Sequence, residues 1–419
     1  MKISQVIGRE IINSKGIPTV EVKIFLENGI SAVSSCPTGT SVGTYEAKEL
    51  RDIDQSRFGG LGVAKAVNNV NTLIAPKIKG MDSTKQHEID RVMIELDGTD
   101  NKSNLGANSI LPVSMAVAKT ASISLNIPLY QYLRQYTGLV SQPLKIPTPL
   151  FNLINGGKHA GDTLNFQEFL VIPAISVKFS AGLSMAVNIY HALGEILKDK
   201  GDSTLVGDEG GFSPTLATNR DALILLNEAI GAVGLRMNYD VFLGIDAAAN
   251  NFYQDNVYTI KDKMQEMSAK DLITVYEGLN AEYNLLYLED PLAEDDWEGW
   301  EDLNKVTSDH TIIVGDDLTT TNYQRLQMAI SKNAIGGIII KPNQIGTVIE
   351  AIAVDEIARQ AGLKIIASHR SGETNDDFIA DFAVGVGADY AKLGAPARGE
   401  RVAKYNRLLE IESLITPSG

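Results

Sequence analysis

The sequence predicts an α/β barrel preceded by a smaller α+β domain, and three observations carry that prediction. From about residue 240 onward, short apolar runs rich in β-branched residues alternate with helical stretches, as a buried parallel sheet requires. Each run ends in a charged or proton-carrying side chain, in order Asp246, Glu289, Asp316, Lys341, His369 and Lys392. The spacings between them are 43, 27, 25, 28 and 23, and apart from the first each fits one strand plus one helix. A (β/α) barrel gathers its chemistry at the carboxyl ends of its strands, so this register favours a barrel. A doubly wound open sheet is the weaker alternative, because no Gly-x-Gly-x-x-Gly follows a first strand.

The elements follow in chain order. Thr19–Ile24 alternates polar and apolar residues, and Asn28-Gly29 supplies turn chemistry before Ile30–Val33, which predicts a hairpin. Helical patterns occupy residues 60 to 135, one opening at Ser83 and stopping at Gly98, another running from Asn108 through Ala118. Pro143, Pro147 and Pro149 suit a stiff connector. Two domains are therefore expected, 1–135 and 136–419. The apolar runs of the second are Val241–Ile245, Leu285–Leu288, Thr311–Val314, Gly337–Ile340, Leu363–Ala367 and Tyr390-Ala391.

Composition bounds the function. The 419 residues are 44% hydrophobic and carry a net charge of −15, which argues against a general affinity for nucleic acid or an anionic membrane surface. Cys36 is the single cysteine, so neither an intrachain disulfide nor a thiolate metal cluster can form. There is no apolar stretch of the roughly 18 residues that a membrane span needs. The opening residues become charged too soon for a signal-peptide core, and the expected location is the cytoplasm.

The strand ends imply chemistry. Asp246, Glu289 and Asp316, on consecutive strands, would bring three carboxylates together, and three anions that close need a cation. All-oxygen ligands favour a hard ion such as Mg²⁺. Taken singly, each acid is as well explained as a solvated loop residue or helix cap, and Glu294, Asp295, Asp296 and Glu298 are read as an exposed helix start. Lys341 ends an apolar strand, where burial and a nearby dication would depress its pKa and leave an amine able to take a proton; the plainer reading is a lysine whose stem snorkels to the surface. His369, Arg370, Ser371 and Lys392 make a site for phosphate or carboxylate oxygens. Two glycine-rich segments carry further polar groups, Gly207–Phe212 with Asp208 and Glu209, and Asn155–Ala160 with His159, leading to Gln167 and Glu168. Such glycines let backbone approach a ligand closely, and they also simply make turns. Residues 37–43 read as a lid or a plain loop.

Over essentially its whole length the chain resembles enolase. The matching motifs are Asn155-Gly156-Gly157 with His159-Ala160, Gly207-Asp208-Glu209-Gly210-Gly211-Phe212, Ser368-His369-Arg370-Ser371-Gly372-Glu373-Thr374, and Lys341 followed by Asn343-Gln344-Ile345-Gly346-Thr347. The resemblance implies an enolase-type barrel whose first strands break the βα alternation, with an N-terminal α+β capping domain. It implies Mg²⁺-dependent, reversible dehydration of 2-phosphoglycerate to phosphoenolpyruvate in glycolysis, in a homo-oligomer that is a dimer or a ring of dimers. A Lys or His base working with one or two Mg²⁺ ions is the known pattern of the enolase superfamily. Carried over by position, Lys341 matches the base and Glu209 the acid that assists hydroxide departure. Asp246, Glu289 and Asp316 match the ligands of the tighter Mg²⁺, and Ser41 matches a lid ligand of a second. Arg370 and Ser371 match phosphate contacts and Lys392 a carboxylate partner. Gln167, Glu168 and His159 line the leaving-group side, with His369 among the catalytic set.

The chain also departs from the family pattern. Asn13–Thr19 reads Asn-Ser-Lys-Gly-Ile-Pro-Thr where Asp-Ser-Arg-Gly-Asn-Pro-Thr is usual, which removes charge-pairing capacity near the expected subunit interface. Asn250-Asn251 replaces Ser-Glu, Pro342 follows the base, and Pro112 enters a helix start. None removes a residue with a chemical role. They support a second reading, a divergent paralogue of weak activity with a scaffold role or display at the cell surface.

Overall fold

In the computed structural model the described residues are 1–39, 43–161, 164–263, 265–307 and 310–415. The N-terminal part opens on an antiparallel sheet of β1 (Ile3–Ile12), β2 (Pro18–Leu26) and β3 (Ser31–Ser35) in the order β1-β2-β3. Val20, Val22, Ile24 and Leu26 alternate inward along β2 and pack on the helices Gln86–Asp97 and Ala107–Leu125. Gly98 ends the first of these in the left-handed region, φ 71°, a conformation glycine adopts without a Cβ clash. Pro112 does not break the second helix, which continues through it.

The larger part is a closed barrel. Its strands are β4 (Thr148–Asn155), β5 (Glu168–Pro173) and β6 (Val241–Asp246), then, after a small hairpin of β7 (Tyr253–Gln254) and β8 (Val257–Tyr258), β9 (Tyr287–Glu289), β10 (Ile312–Gly315), β11 (Gly337–Ile340), β12 (Lys364–Ser368) and β13 (Tyr390–Lys392). The order around the barrel is β10-β11-β12-β13-β4-β5-β6-β9. β5 runs antiparallel to both β4 and β6, and the other neighbours are parallel. The break in βα alternation thus falls at the first strands, as the resemblance implies. Leu150, Leu170, Ile172, Tyr287, Val314, Ile339, Ile366 and Tyr390 fill the barrel interior.

Pro149, expected in a connector, instead lies inside β4, opposite Ala391. All six apolar runs match strands to within two residues, Tyr390-Ala391 extending by one to Lys392. Helices outside the barrel start on capping boxes, Thr218 with Asp221 and Ser268 with Asp271, in which side chain and backbone satisfy each other's first-turn donors.

Candidate active site

The parallel register aligns the strand ends. Asp246 lies opposite Glu289 between β6 and β9, and Ser368 opposite Lys392 between β12 and β13. Asp316, Lys341 and His369 each follow the last residue of their strand. The antiparallel β5 carries Glu168 in at its start, opposite Asp246. A cleft of about 360 Å³ is lined by Gly39, His159, Gln167, Glu168, Glu209, Asp246, Asp316, Asp317, Lys341, Ser368, His369, Arg370, Ser371 and Lys392. Every expected site residue is therefore at this mouth except two. Glu289 is fully buried below it, reaching Lys392, and Ser41 lies outside the described residues.

One half of the cleft is an interleaved array of carboxylates and ammonium groups. Lys392 Nζ donates to Asp246 Oδ2 at 2.8 Å and to both oxygens of Glu289 at 2.8 Å, and lies 3.2 Å from Glu168 Oε2. Lys341 Nζ donates to Asp316 Oδ2. Burial disfavours both lysine charges, but the acids outweigh it: Asp316 raises the Lys341 pKa, while Asp246, Glu168 and Glu289 raise that of Lys392 much further. Burial is the largest single influence on Lys341 and works in the direction expected of it, but the acids around the amine, Asp316 first, together outweigh it when no cation shares the cleft. Reciprocally, burial pushes Asp316 up and Lys341 more than reverses it, leaving its carboxyl below the usual range. Glu289 is pushed up to about 8 by burial and by the charge of Asp246, even with Lys392 at hand.

The acids of the expected metal trio are not gathered into one nest. Asp246 and Glu289 share Lys392, while Asp316 turns to Lys341 and to Gln344 Nε2 at 3.1 Å. Among the described residues, the groups whose carboxylate or imidazole atoms all lie within 4.8 Å of one another are His159, Glu168 and Glu209, and Asp290, Asp316 and Asp317. The two lysines explain the separation, since each ammonium has drawn one part of the trio to itself. The donor chemistry nonetheless fits a hard divalent cation. Three buried side chains that offer only oxygen ligands stand at the ends of adjacent strands.

The other half is nearly free of cations. His159 Nδ1 sits 3.7 Å from Glu168 Oε1 and 3.8 Å from Glu209 Oε1, and His369 Nε2 lies 3.2 Å from Glu209 Oε2. Asn152 Nδ2 donates to Glu209 Oε2 at 3.2 Å. Burial lowers the pKa of both imidazoles against the pull of Glu209, that of His369 to about 3. The two glutamates are driven apart. Burial and the charge of Glu209 raise Glu168 well above the carboxylate range. Burial also pushes Glu209 upward, but its contacts with His369 and His159 and the charge of Arg401 more than reverse this. The two shifts run in opposite directions, up for Glu168 and down for Glu209.

Two glycines make this packing possible. A Cβ on Gly207 would stand 2.6 Å from the His159 carbonyl oxygen, and one on Gly394, at φ +84°, would stand 2.8 Å from that of Glu209. Substitution at either would push the Glu209 loop out of the cleft.

Sequence reasoning missed several residues. Glu46, from the N-terminal part, forms a buried two-pronged pair with Arg370, Nη1 to Oε2 at 2.9 Å and Nη2 to Oε1 at 3.1 Å, and Asn343 Oδ1 accepts from Arg370 Nη1 at 3.0 Å. Arg401 donates to the backbone of the His369 loop. These partners are 324, 27 and 31 positions away, so no local spacing marks them. In the divergent Asn13–Thr19 loop, Lys15 Nζ reaches Asp208 of the same chain.

A barrel whose mouth sets a buried lysine across from two buried glutamates whose pKa values are pushed in opposite directions has the layout of an acid–base enzyme. The family model for the enolase C-terminal TIM barrel domain matches residues 143–418, and that for the enolase N-terminal domain matches residues 3–133. A curated enolase from Acidothermus cellulolyticus is 48% identical over 413 residues, which is 98% of this chain and 94% of that protein. The chain belongs to the enolase family, and its activity is that of a hydro-lyase, phosphopyruvate hydratase. No helix among the described residues is long and apolar enough to cross a membrane.

Proposed function

We propose that the cleft carries out the Mg²⁺-dependent, reversible dehydration of 2-phosphoglycerate to phosphoenolpyruvate, with its two halves acting on opposite sides of the substrate. Lys341, as the neutral amine, takes the proton next to the carboxylate, and a cation held by Asp316 would weaken the Asp316–Lys341 pair and so favour that neutral form. Glu209 faces the departing hydroxide, and the proton it needs is held beside it on Glu168. His159, His369 and Gln167 line that side. Arg370 and Ser371 hold the phosphate, for which Arg370 must share its fork with Glu46, and Lys392 holds the substrate carboxylate. Asp246, Glu289 and Asp316 would hold the tighter Mg²⁺, with Ser41 joining a second ion. Bound there, Mg²⁺ neutralises the charge that proton removal places on the carboxylate.

The observation that carries this reading is the placement of Lys341 and the Glu168–Glu209 pair in one cleft with opposite electrostatic environments. Formation of phosphoenolpyruvate, followed by its ultraviolet absorbance with and without Mg²⁺, tests it. Absence of a metal-dependent signal would overturn it. The reading includes a cytoplasmic, glycolytic role, a division of the chain near residue 135, and a homo-oligomer. Sedimentation or light scattering tests the last, and a monomer at working concentration would remove it.

A further inference from the structure

The C-terminal helix Gly399–Ile415 lies against the site loops, and the side chain of its first turn that reaches His369 is Arg401. Arg401 is wholly buried, 0% exposed. Its Nη1 lies 2.6 Å from His369 Nδ1 and donates at 2.6 Å to the Arg370 carbonyl. Its Nη2 donates to the Ser371 carbonyl at 2.6 Å and to the Asp208 carbonyl at 3.1 Å. A single guanidinium therefore ties together the loop carrying Glu209 and the loop carrying His369, Arg370 and Ser371. Arg398 of the preceding turn adds a bond from Nη1 to the Gly207 carbonyl at 2.9 Å. Gly394 packs close against this contact: a Cβ there would stand 3.0 Å from His369 Cε1 and 3.0 Å from Arg401 Cδ.

The contact dictates the state of the imidazole. A guanidinium has five N–H donors, no acceptor, and does not lose its proton in proteins. His369 Nδ1 must therefore offer its lone pair. A neutral imidazole with an accepting Nδ1 carries its hydrogen on Nε2, the nitrogen 3.2 Å from Glu209 Oε2. The opposite tautomer would set two lone pairs against each other at Glu209 and two N–H groups against each other at Arg401. We infer that Arg401 is a positioning residue that fixes the tautomer of His369 and, through it, the nitrogen presented to Glu209 Oε2 at 3.2 Å, while also holding the two catalytic loops in register. The charged and titratable groups around His369 are Glu209 on its loop, Arg401 on the helix and Lys392 on β13, with His159 and Glu168 beyond Glu209. The inference rests on the roles proposed above for Glu209 and His369.

Ring-¹⁵N-labelled histidine in the full chain, with its five histidines, gives the decisive spectrum, and His369→Asn identifies the His369 signals. At pH 7.5 the wild-type ring is expected neutral with the hydrogen on Nε2. In Arg401→Gln that single state should give way to a mixture of tautomers, or to an imidazolium that accumulates as pH falls from 8 to 6. In the same variant kcat should fall about tenfold to a hundredfold, the scale of a misplaced reacting group, with KM changed less than about threefold. Arg401→Lys keeps one donor and should restore the Nε2–H state and part of kcat. A wild-type ring with its hydrogen on Nδ1, or doubly protonated, would overturn the inference. So would an Arg401→Gln protein that loses kcat with the ring state and pH profile unchanged, since Arg401 would then serve packing alone. If Arg401→Gln does not fold, the wild-type spectrum decides by the same criterion. Full dehydration activity in Glu209→Gln would instead sink the proposed role of Glu209, and the ring spectrum would still report what Arg401 does to His369.

Discussion

The two halves of the cleft are equally buried yet electrostatically opposite. On one side each carboxylate touches an ammonium group, with Lys392 between Asp246 and Glu289 and Lys341 on Asp316. On the other side two imidazoles face two glutamates, and burial lowers the pKa of both rings. Burial penalises charge in both places, and the halves differ in which groups face the carboxylates, ammonium groups on one side and imidazoles on the other. The ammonium side is suited to collecting anionic substrate and metal, and the imidazole side to holding and passing one proton between glutamates.

The largest expected break of this contrast is Asp246→Ala. It removes one partner of Lys392 and one expected metal ligand together, and activity should fall by on the order of a thousandfold or more at every Mg²⁺ concentration. A variant rescued by added Mg²⁺ would place Asp246 outside the metal set. Next in size is Glu46→Ala, which leaves Arg370 buried without its anion. Removing one member of a buried pair costs about 3–5 kcal/mol. Urea unfolding should show a loss of that order, and added inorganic phosphate should recover part of it if Arg370 is a phosphate contact.

Asp90 is a buried acid away from the cleft that, among the described residues, hydrogen-bonds only to neutral donors. Asp90 accepts from Gln86 Nε2 at 3.0 Å, Ser114 Oγ at 2.9 Å and the Ile349 N–H at 3.2 Å. Burial outweighs these neutral donors and pushes its pKa up to about 7. The unfolded value is near the usual ~3.9, so between these limits the native chain binds more protons and stability falls as pH rises. From pH 5 to pH 8 the wild type should lose about 2–3 kcal/mol relative to Asp90→Asn. Parallel stability curves for the two proteins would show that this acid ionises freely.

The smallest expected effect is at Pro342. Lys341 is extended, φ −124° and ψ 104°, and Pro342 opens the short turn Pro342–Gln344, where a missing N–H costs nothing. Pro342→Val should change kcat by less than about tenfold, roughly 1.4 kcal/mol. A larger gain would make the proline a brake on the base.

Much of the site is legible in the sequence because parallel barrel strands are buried on both faces and read as apolar runs, so the polar residue that ends each run stands out. That contrast marks Asp246, Glu289, Asp316, Lys341, His369 and Lys392 by their positions in the chain alone. The first two strands offer no such contrast. β4 contains Pro149 and Asn152, and β5 is antiparallel and reached by an irregular segment. Glu46 and Arg401 escape a sequence reading for a different reason: each owes its role to partners distant along the chain. The direction of the Lys341 shift depends on Asp316 making direct contact, which spacing does not reveal.

The central claim is that the ammonium side removes the proton and the glutamate side releases the hydroxide. Solvent deuterium incorporation at the substrate's carbon-bound proton, followed by NMR beside dehydration, tests it in Lys341→Ala and Glu209→Gln. The account predicts that Lys341→Ala loses both exchange and dehydration, while Glu209→Gln keeps exchange and loses dehydration. Exchange that survives in Lys341→Ala and disappears in Glu209→Gln would reverse the two sides.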